Sequence, residues 1–218
     1  MKKSCFGLTR RLCALLAAFF AFTLVASAAT TYSWTGKAGN GKWDDKNNWD
    51  RSAYPNATSH NANFPAGVAA DTEVTIKDQS IKLNALQFAN TNPMSLVIDN
   101  SQIALSSGAG VTEIGKTGSV SVEFKGANPR LSTSKEYDGR IYFGHESTTD
   151  GFTGKTVLKF TLPPTGVWAA NQVPIYGTGN DTPFRFYSNV SFVIDASGVM
   201  DIPDNGQSVT YVLANSIN

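Results

Sequence analysis

His60 and His145 are the only imidazoles in this 218-residue chain, so chemistry that needs a base near neutral pH rests on one of them or on a perturbed carboxylate. Neither histidine has a second one four residues away, and no cysteine lies near, so the spacing that holds a transition metal is missing. His145 precedes Glu146, but neighbours on a strand point to opposite faces, which makes the pair a solvated strand end. Two carboxylate pairs remain, Glu113 with Glu123 and Asp44 with Asp45. Glycosidic cleavage needs two carboxyl groups facing each other across a sugar. Glu113 and Glu123 instead take the outward parity of alternating runs, the ordinary place for a solubilising charge. Asp44, Asp45, Asn47 and Asp50 gather hard oxygens suited to calcium, yet not at EF-hand spacing, and Asx turns account for the same residues. No G-x-S-x-G elbow or phosphate loop occurs. The expectation is a protein with no catalytic residue, no metal ligand and no cofactor, and not an enzyme.

Aromatic side chains offer another kind of site. Trp43, Tyr54, Phe64, Trp168 and Tyr176 carry flat faces against which sugar rings stack, although such residues are more often buried. Trp168 lies after Pro163-Pro164 and before a polar loop, so it and Tyr176 are the expected glycan-stacking residues.

The elements that position these side chains read as strands. Period-two runs rich in Val, Ile and Phe occur at 73–76, 81–88, 95–99, 102–105, 111–114, 119–124, 140–143, 156–160, 183–187, 190–195 and 209–213, bounded by Gly, Asn, Asp, Ser and Pro. No window sustains a helical stripe for three turns, which predicts an all-β chain. Asn-Gly and Asp-Gly hairpin turns stand at 40–41, 138–139, 150–151 and 205–206, and none falls within 71–130. There the strands follow at steps of about eight to ten residues, and three such steps make one coil of a parallel β-helix. The expected fold is a right-handed parallel β-helix, with an antiparallel β-sandwich as the alternative after about residue 137.

Met1 to Ala28 has the basic start (Lys2, Lys3, Arg10, Arg11), the apolar core (Leu12 to Val25) and the small-residue end (Ala26-Ser27-Ala28) of a secretory signal. Both cysteines and four of the 18 basic residues lie in it, so the remainder sets 14 cations against 17 anions, a net charge of −3. That balance, without a basic stripe, excludes nucleic acid as an expected partner. Stability then has to come from a core and a backbone ladder rather than from disulfides.

Between leader and strands, Thr31 to Asp50 reads TYSWTGKAGNGKWDDKNNWD. Its glycines and Asn47-Asn48 favour tight turns over helix. Trp34, Trp43, Asn48 and Trp49 are expected to cap the first coil, where strand edges and apolar interior would otherwise meet water. Trp34, Thr35, Gly36, Gly39, Gly41, Trp43, Asn48 and Trp49 match the pattern W-T-G-x-x-G-x-G-x-W-x-x-x-x-N-W, which resembles the opening of the passenger regions of bacterial autotransporter-like and other secreted β-solenoid proteins. Pro55, Asn63-Phe64 and the strand Val74 to Ile76 look like its continuation, and Gly206 to Leu213 is similar to a late strand of those proteins. The resemblance implies a right-handed β-helix and a place among secreted surface proteins, which share no single activity. No outer-membrane barrel of eight or more strands is recognisable in these residues, so the chain is expected to be a short free-standing member or a piece of a longer passenger.

Together these readings give a signal peptide at 1–28, a Trp-rich cap at 29–70 and a β-solenoid at 71–218. The expected role is structural, adhesive or interaction-based at the outer cell surface or in the medium. A carbohydrate-binding module is the alternative, and a glycan-cleaving β-helix enzyme comes third. The expected partner is a surface polysaccharide or a protein, with membrane contact only through secretion or an anchor outside this chain.

Overall fold

The computed structural model describes residues 28–106, 111–133, 140–146, 151–161, 175–177, 184–187 and 189–195. The expected leader up to residue 27, Trp168 and the strand at 209–213 lie outside them. The described residues form β1 (Thr30–Ser33), β2 (Ala57–Phe64), β3 (Thr72–Lys77), β4 (Ser80–Phe88), β5 (Met94–Asp99), β6 (Gln102–Leu105) and β7 (Val111–Ile114). They continue as β8 (Val120–Lys125), β9 (Arg130–Thr133), β10 (Arg140–Phe143), β11 (Thr156–Thr161), β12 (Ile175–Gly177), β13 (Phe184–Phe186) and β14 (Val190–Asp195). The protein is all-β, and its only helical element among the described residues is a 3-10 turn at Lys46–Asn48.

Three sheets run in the orders β1-β2-β4-β6-β9-β12, β3-β5-β8-β11-β14 and β7-β10-β13. Every pairing among the described strands is parallel, including those of β10, β11, β12, β13 and β14. The antiparallel sandwich weighed for the chain after residue 137 is therefore not what its described strands form. Hairpins need consecutive strands side by side, whereas here consecutive strands mostly fall in different sheets.

Pairing partners lie 22 residues apart where Thr72 meets Met94 and Ser80 meets Gln102. The offset grows to 36 where Val120 meets Thr156 and to 44 where Leu131 meets Ile175. Three strands per recurrence, expected from the sequence, thus hold only in the later part. Earlier there are two, with the nine-residue β4 spanning the length of two shorter strands: Ser80 to Leu83 pair with β6, while Leu83 and Ala85 to Phe88 pair with β2 across a register shift. Strands β1, β2, β9 and β12 escaped the period-two search, since ATSHNANF and RLST bury few apolar residues.

In-register parallel pairing places like on like. In the five-stranded sheet one inward row is Val74, Leu96, Val122 and Leu158, and the next is Ile76, Ile98, Phe124 and Phe160. The Phe124 and Phe160 rings stack at 5.3 Å and 11°. All but Phe160 are fully buried, and each aliphatic in the rows contributes about 1.5–3 kcal/mol of burial. The outward row of the same sheet alternates in charge, with Lys77, Asp99 and Lys125 side by side. At 3.9 Å and half-exposed, Lys77–Asp99 adds about 0–1 kcal/mol, so the interior rows dominate.

Corner residues stack as well. Asp78 (φ 52), Asn100 (φ 49) and Gly126 (φ 89) follow β3, β5 and β8 and all take the left-handed conformation. Asp78 N–H donates to Asp99 O, Asn100 N–H to Lys125 O, and Asn100 Nδ2 to Asp78 Oδ1 at 2.8 Å. Asp and Asn tolerate this geometry through local side-chain bonding. At the third level only glycine fits, because a Cβ at 126 would stand 2.7 Å from Asn100 N. Gly126→Ala is expected to destabilise the protein by about 1–3 kcal/mol, while Ala127→Gly changes stability by less than about 1 kcal/mol. Urea unfolding of the two variants checks this; equal midpoints would show that the corner carries no constraint.

Candidate functional site

The tryptophan window folds over the ends of two sheets. β1 pairs with β2, and Trp34 forms an antiparallel bridge to Trp49. Trp34, Trp43 and Trp49 are buried, with Trp43 fully so, and their rings lie 5.9, 6.1 and 6.0 Å from the Phe64 ring. Trp49 stands edge-on to both other indoles, at 5.2 and 4.8 Å, the favoured geometry for ring quadrupoles. Two of the indole N–H groups are bonded inside the window: Trp43 Nε1 donates to Pro55 O at 3.1 Å and Trp49 Nε1 to Trp43 O at 2.8 Å. Such rings have no free face for a sugar. Phe64 is fully buried beneath them and Tyr54 is packed against the same core.

Asn48, fully buried, is the polar centre of the window. Its Nδ2 donates to Asn40 Oδ1 and Lys42 O, its Oδ1 accepts from Ala38 N, and its carbonyl accepts from Thr35 N and Gly36 N. Asp45 caps the 3-10 turn, accepting from Asn47 N at 2.9 Å and from Asn40 Nδ2 at 2.7 Å. The bond from Asn47 N, with the one from Asn40, holds its carboxyl below the usual range. Asp50 Oδ1 accepts from Ser33 N, Asp50 N donates to Ser33 O, and Arg51 Nε donates to Thr31 O at 2.7 Å. These bonds occupy the outer edge of β1. Gly41 and Trp43 do the same for β3: Thr75 N donates to Gly41 O and Trp43 N to Thr75 O. A Cβ at Gly41 would sit 2.6 Å from Glu73 O, so this docking requires glycine. The window therefore meets two otherwise open strand edges.

The acid–base candidates are not assembled. Glu113 lies on β7, held by Lys116 Nζ at 2.9 and 2.7 Å. Glu123 lies on β8 in another sheet, bound to Lys159 Nζ at 3.1 Å and to Thr161 Oγ1 at 2.7 Å. Burial raises the Glu123 carboxyl, but the bonds from Thr161 and Lys159 outweigh it and leave the group below the usual glutamate range. His60 accepts from Asn56 N through Nδ1 and faces Tyr32 Oη through Nε2 at 3.4 Å, and burial lowers its pKa. His145 Nδ1 donates to Lys116 O at 2.6 Å and its ring stacks on Phe152 at 4.2 Å. Among the described residues no group of three or more His, Cys, Asp or Glu is placed to hold a metal ion. Tyr176 is on β12 opposite Ser132, and Trp168 lies outside the described residues.

One group of side chains went unnoticed in the sequence. On the three-stranded sheet, Ile141, Phe143, Phe184 and Phe186 turn inward or pack on the core, and Phe143 stacks on Phe186 at 5.2 Å. Strand alternation then sends Glu113, Tyr142 and Arg185 outward, and the register puts them in one row. The Arg185 guanidinium lies 4.8 Å from the centre of the Tyr142 ring. Tyr187 stands perpendicular to Tyr142 at 6.2 Å, and its hydroxyl beside the guanidinium, with the Tyr142 ring, holds the arginine pKa above its ordinary value. The parity of RIYF and FRF was a readable signal for the outward direction. Their adjacency was not, because Tyr142 and Arg185 are 43 residues apart. No family profile, curated protein or solved structure matches this chain.

Two outcomes follow from these contacts. Replacing Asp50 and Arg51 together by alanine frees the Ser33 N–H and Thr31 C=O of an edge strand, so the folded variant is expected to self-associate; multi-angle light scattering that finds it monomeric at all concentrations would contradict the edge role. A depressed carboxyl adds stability above its unfolded pKa and loses it as pH falls through the folded value. The stability advantage of the wild type over Glu123→Gln should therefore be present at neutral pH and shrink progressively as pH falls below the ordinary glutamate value of about 4.3. A gap that stays constant over an acid series of urea melts would refute it.

Proposed function

We propose that this chain is a secreted β-solenoid of a bacterial cell surface, wound as a right-handed parallel β-helix, with a structural, adhesive or interaction role. The observation that carries the reading is the unbroken parallel register of β3, β5, β8, β11 and β14, five strands stacked in chain order with two other sheets threaded between them. A chain that returns again and again to the same sheet in the same direction has to wind, and parallel crossovers are overwhelmingly right-handed. Outward positions then form long flat faces, the kind of surface repeat architectures use for binding.

The leader supports export. The paired and scattered carboxylates support a role without catalysis, since Glu113 and Glu123 each neutralise a lysine. The tryptophan window supports the likeness to autotransporter-like passengers, because the residues that carry the likeness have distinct physical tasks: indoles cover apolar interior, Gly41 admits the β3 edge, and Asn48 ties the loop together.

Expression of the full chain in a bacterial host should yield a protein beginning at Ala29, found outside the inner membrane. Intact-mass measurement and cell fractionation check this. A product that keeps its leader and stays in the cytoplasm overturns the proposal.

A further inference from the structure

We propose that the outward face of the three-stranded sheet binds a carboxylate-bearing polysaccharide through Arg185, set on Tyr142 and steadied by Tyr187. The inference deepens the surface role above and rests on it for its setting. Arg185 is exposed, yet its guanidinium is not a free rotor: the Tyr142 ring lies beneath it at 4.8 Å and the Tyr187 ring stands upright beside that ring. A planar fork held in one orientation loses less entropy on binding, and it matches a planar carboxylate with two parallel N–H···O bonds.

The neighbouring charges decide which anions fit. Glu113, next in the row, would repel a carboxylate, but Lys116 Nζ holds both of its oxygens and cancels the charge locally. Exposed Glu146 follows the strand end within electrostatic reach of both Lys116 and Arg185, so it sets one negative charge at the margin of the face. The face therefore accepts single, spaced carboxylates rather than a dense run of negative charge. An acidic peptide is the less suitable ligand, because acidic motifs are held by clusters of arginine, whereas this face sets Arg185 among Glu113, Glu146 and two tyrosines on the flat side of a sheet. What it offers is the Arg185 guanidinium and phenol hydroxyls, with Arg140 at the same outward parity two residues before Tyr142, complementary to a chain of hydroxyls and carboxylates.

The test uses the purified full chain and polygalacturonate as probe, with dextran and poly-glutamate as comparison arms, in affinity electrophoresis and calorimetry. Binding to polygalacturonate, weakened by salt, is expected, with none to dextran. Arg185→Ala should lose at least tenfold in affinity, and Arg185→Lys most of that, since a lysine cannot form the fork. Tyr142→Leu, which keeps the charge but removes its platform, should also weaken binding severalfold. Glu113→Gln should strengthen it, and Lys125→Ala on the five-stranded sheet should leave it within twofold. Circular dichroism and melting of each variant separate lost binding from lost folding. No binding to polygalacturonate, equal binding by Arg185→Ala, or poly-glutamate competing as well as the sugar overturns the inference. Fractionation reads the surface role independently: an exported protein that ignores polygalacturonate defeats this inference alone, and a cytoplasmic one that binds it defeats only the setting.

Discussion

Parallel pairing in register is the constraint from which the rest of this molecule follows. Once Thr72 is opposite Met94 and Met94 opposite Val120, each inward side chain must lie on another of compatible shape one strand away. Aliphatic rows satisfy that requirement with any mixture of Val, Ile and Leu, and aromatic residues satisfy it by stacking, as in Phe64 on Phe88, Phe124 on Phe160 and Phe143 on Phe186. Polar groups obey the same rule at the corners, where Asp78, Asn100 and Gly126 repeat one left-handed conformation. The outward faces inherit their order from it too, so that a charge row and the Glu113, Tyr142 and Arg185 row arise without any local sequence motif.

The same constraint creates a difficulty at the beginning of the stack. A strand that pairs on one side only leaves backbone donors and acceptors exposed, and the first interior layer has nothing above it. The tryptophan window answers both demands with different residue types. Three indoles cover the Phe64 layer, while Asp50, Arg51 and the Gly41 to Trp43 segment take up the edges of β1 and β3. The burial of those indoles explains why the most conspicuous aromatic residues of the chain are unsuited to a ligand. Among the described residues, the less conspicuous Tyr142 and Tyr187, on and beside the three-stranded sheet, are only half-buried.

Carboxylates tell a parallel story. In sequence, Glu113 and Glu123 look alike, ten residues apart at outward positions of neighbouring strands. In space they belong to different sheets, each beside its own lysine. Ten residues is too few to return the chain to the same sheet, where the smallest offset is 22, so no neighbouring pair of runs could have brought two acids together.

Residue types and their alternation determined the all-β character, the strands from β3 to β8 almost to the residue, and the outward direction of Glu113, Glu123, Tyr142 and Arg185. Period two is a local property, and burial of one face writes it into the chain. The sequence also marked the tryptophan window as turn-rich, since glycine and asparagine restrict what the backbone there can do. It did not disclose β1, β2, β9 and β12, whose polar residues are held by the ladder rather than by their own apolar pattern. Nor did it disclose the passage from two strands per recurrence to three, or which outward residues meet. Those matters depend on offsets of 22 to 44 residues between paired strands, lengths set by the loops between them and not by any preference of the strands. Only the tertiary structure, by fixing the register, decided that an arginine would lie on Tyr142 and that two promising glutamates would lie apart.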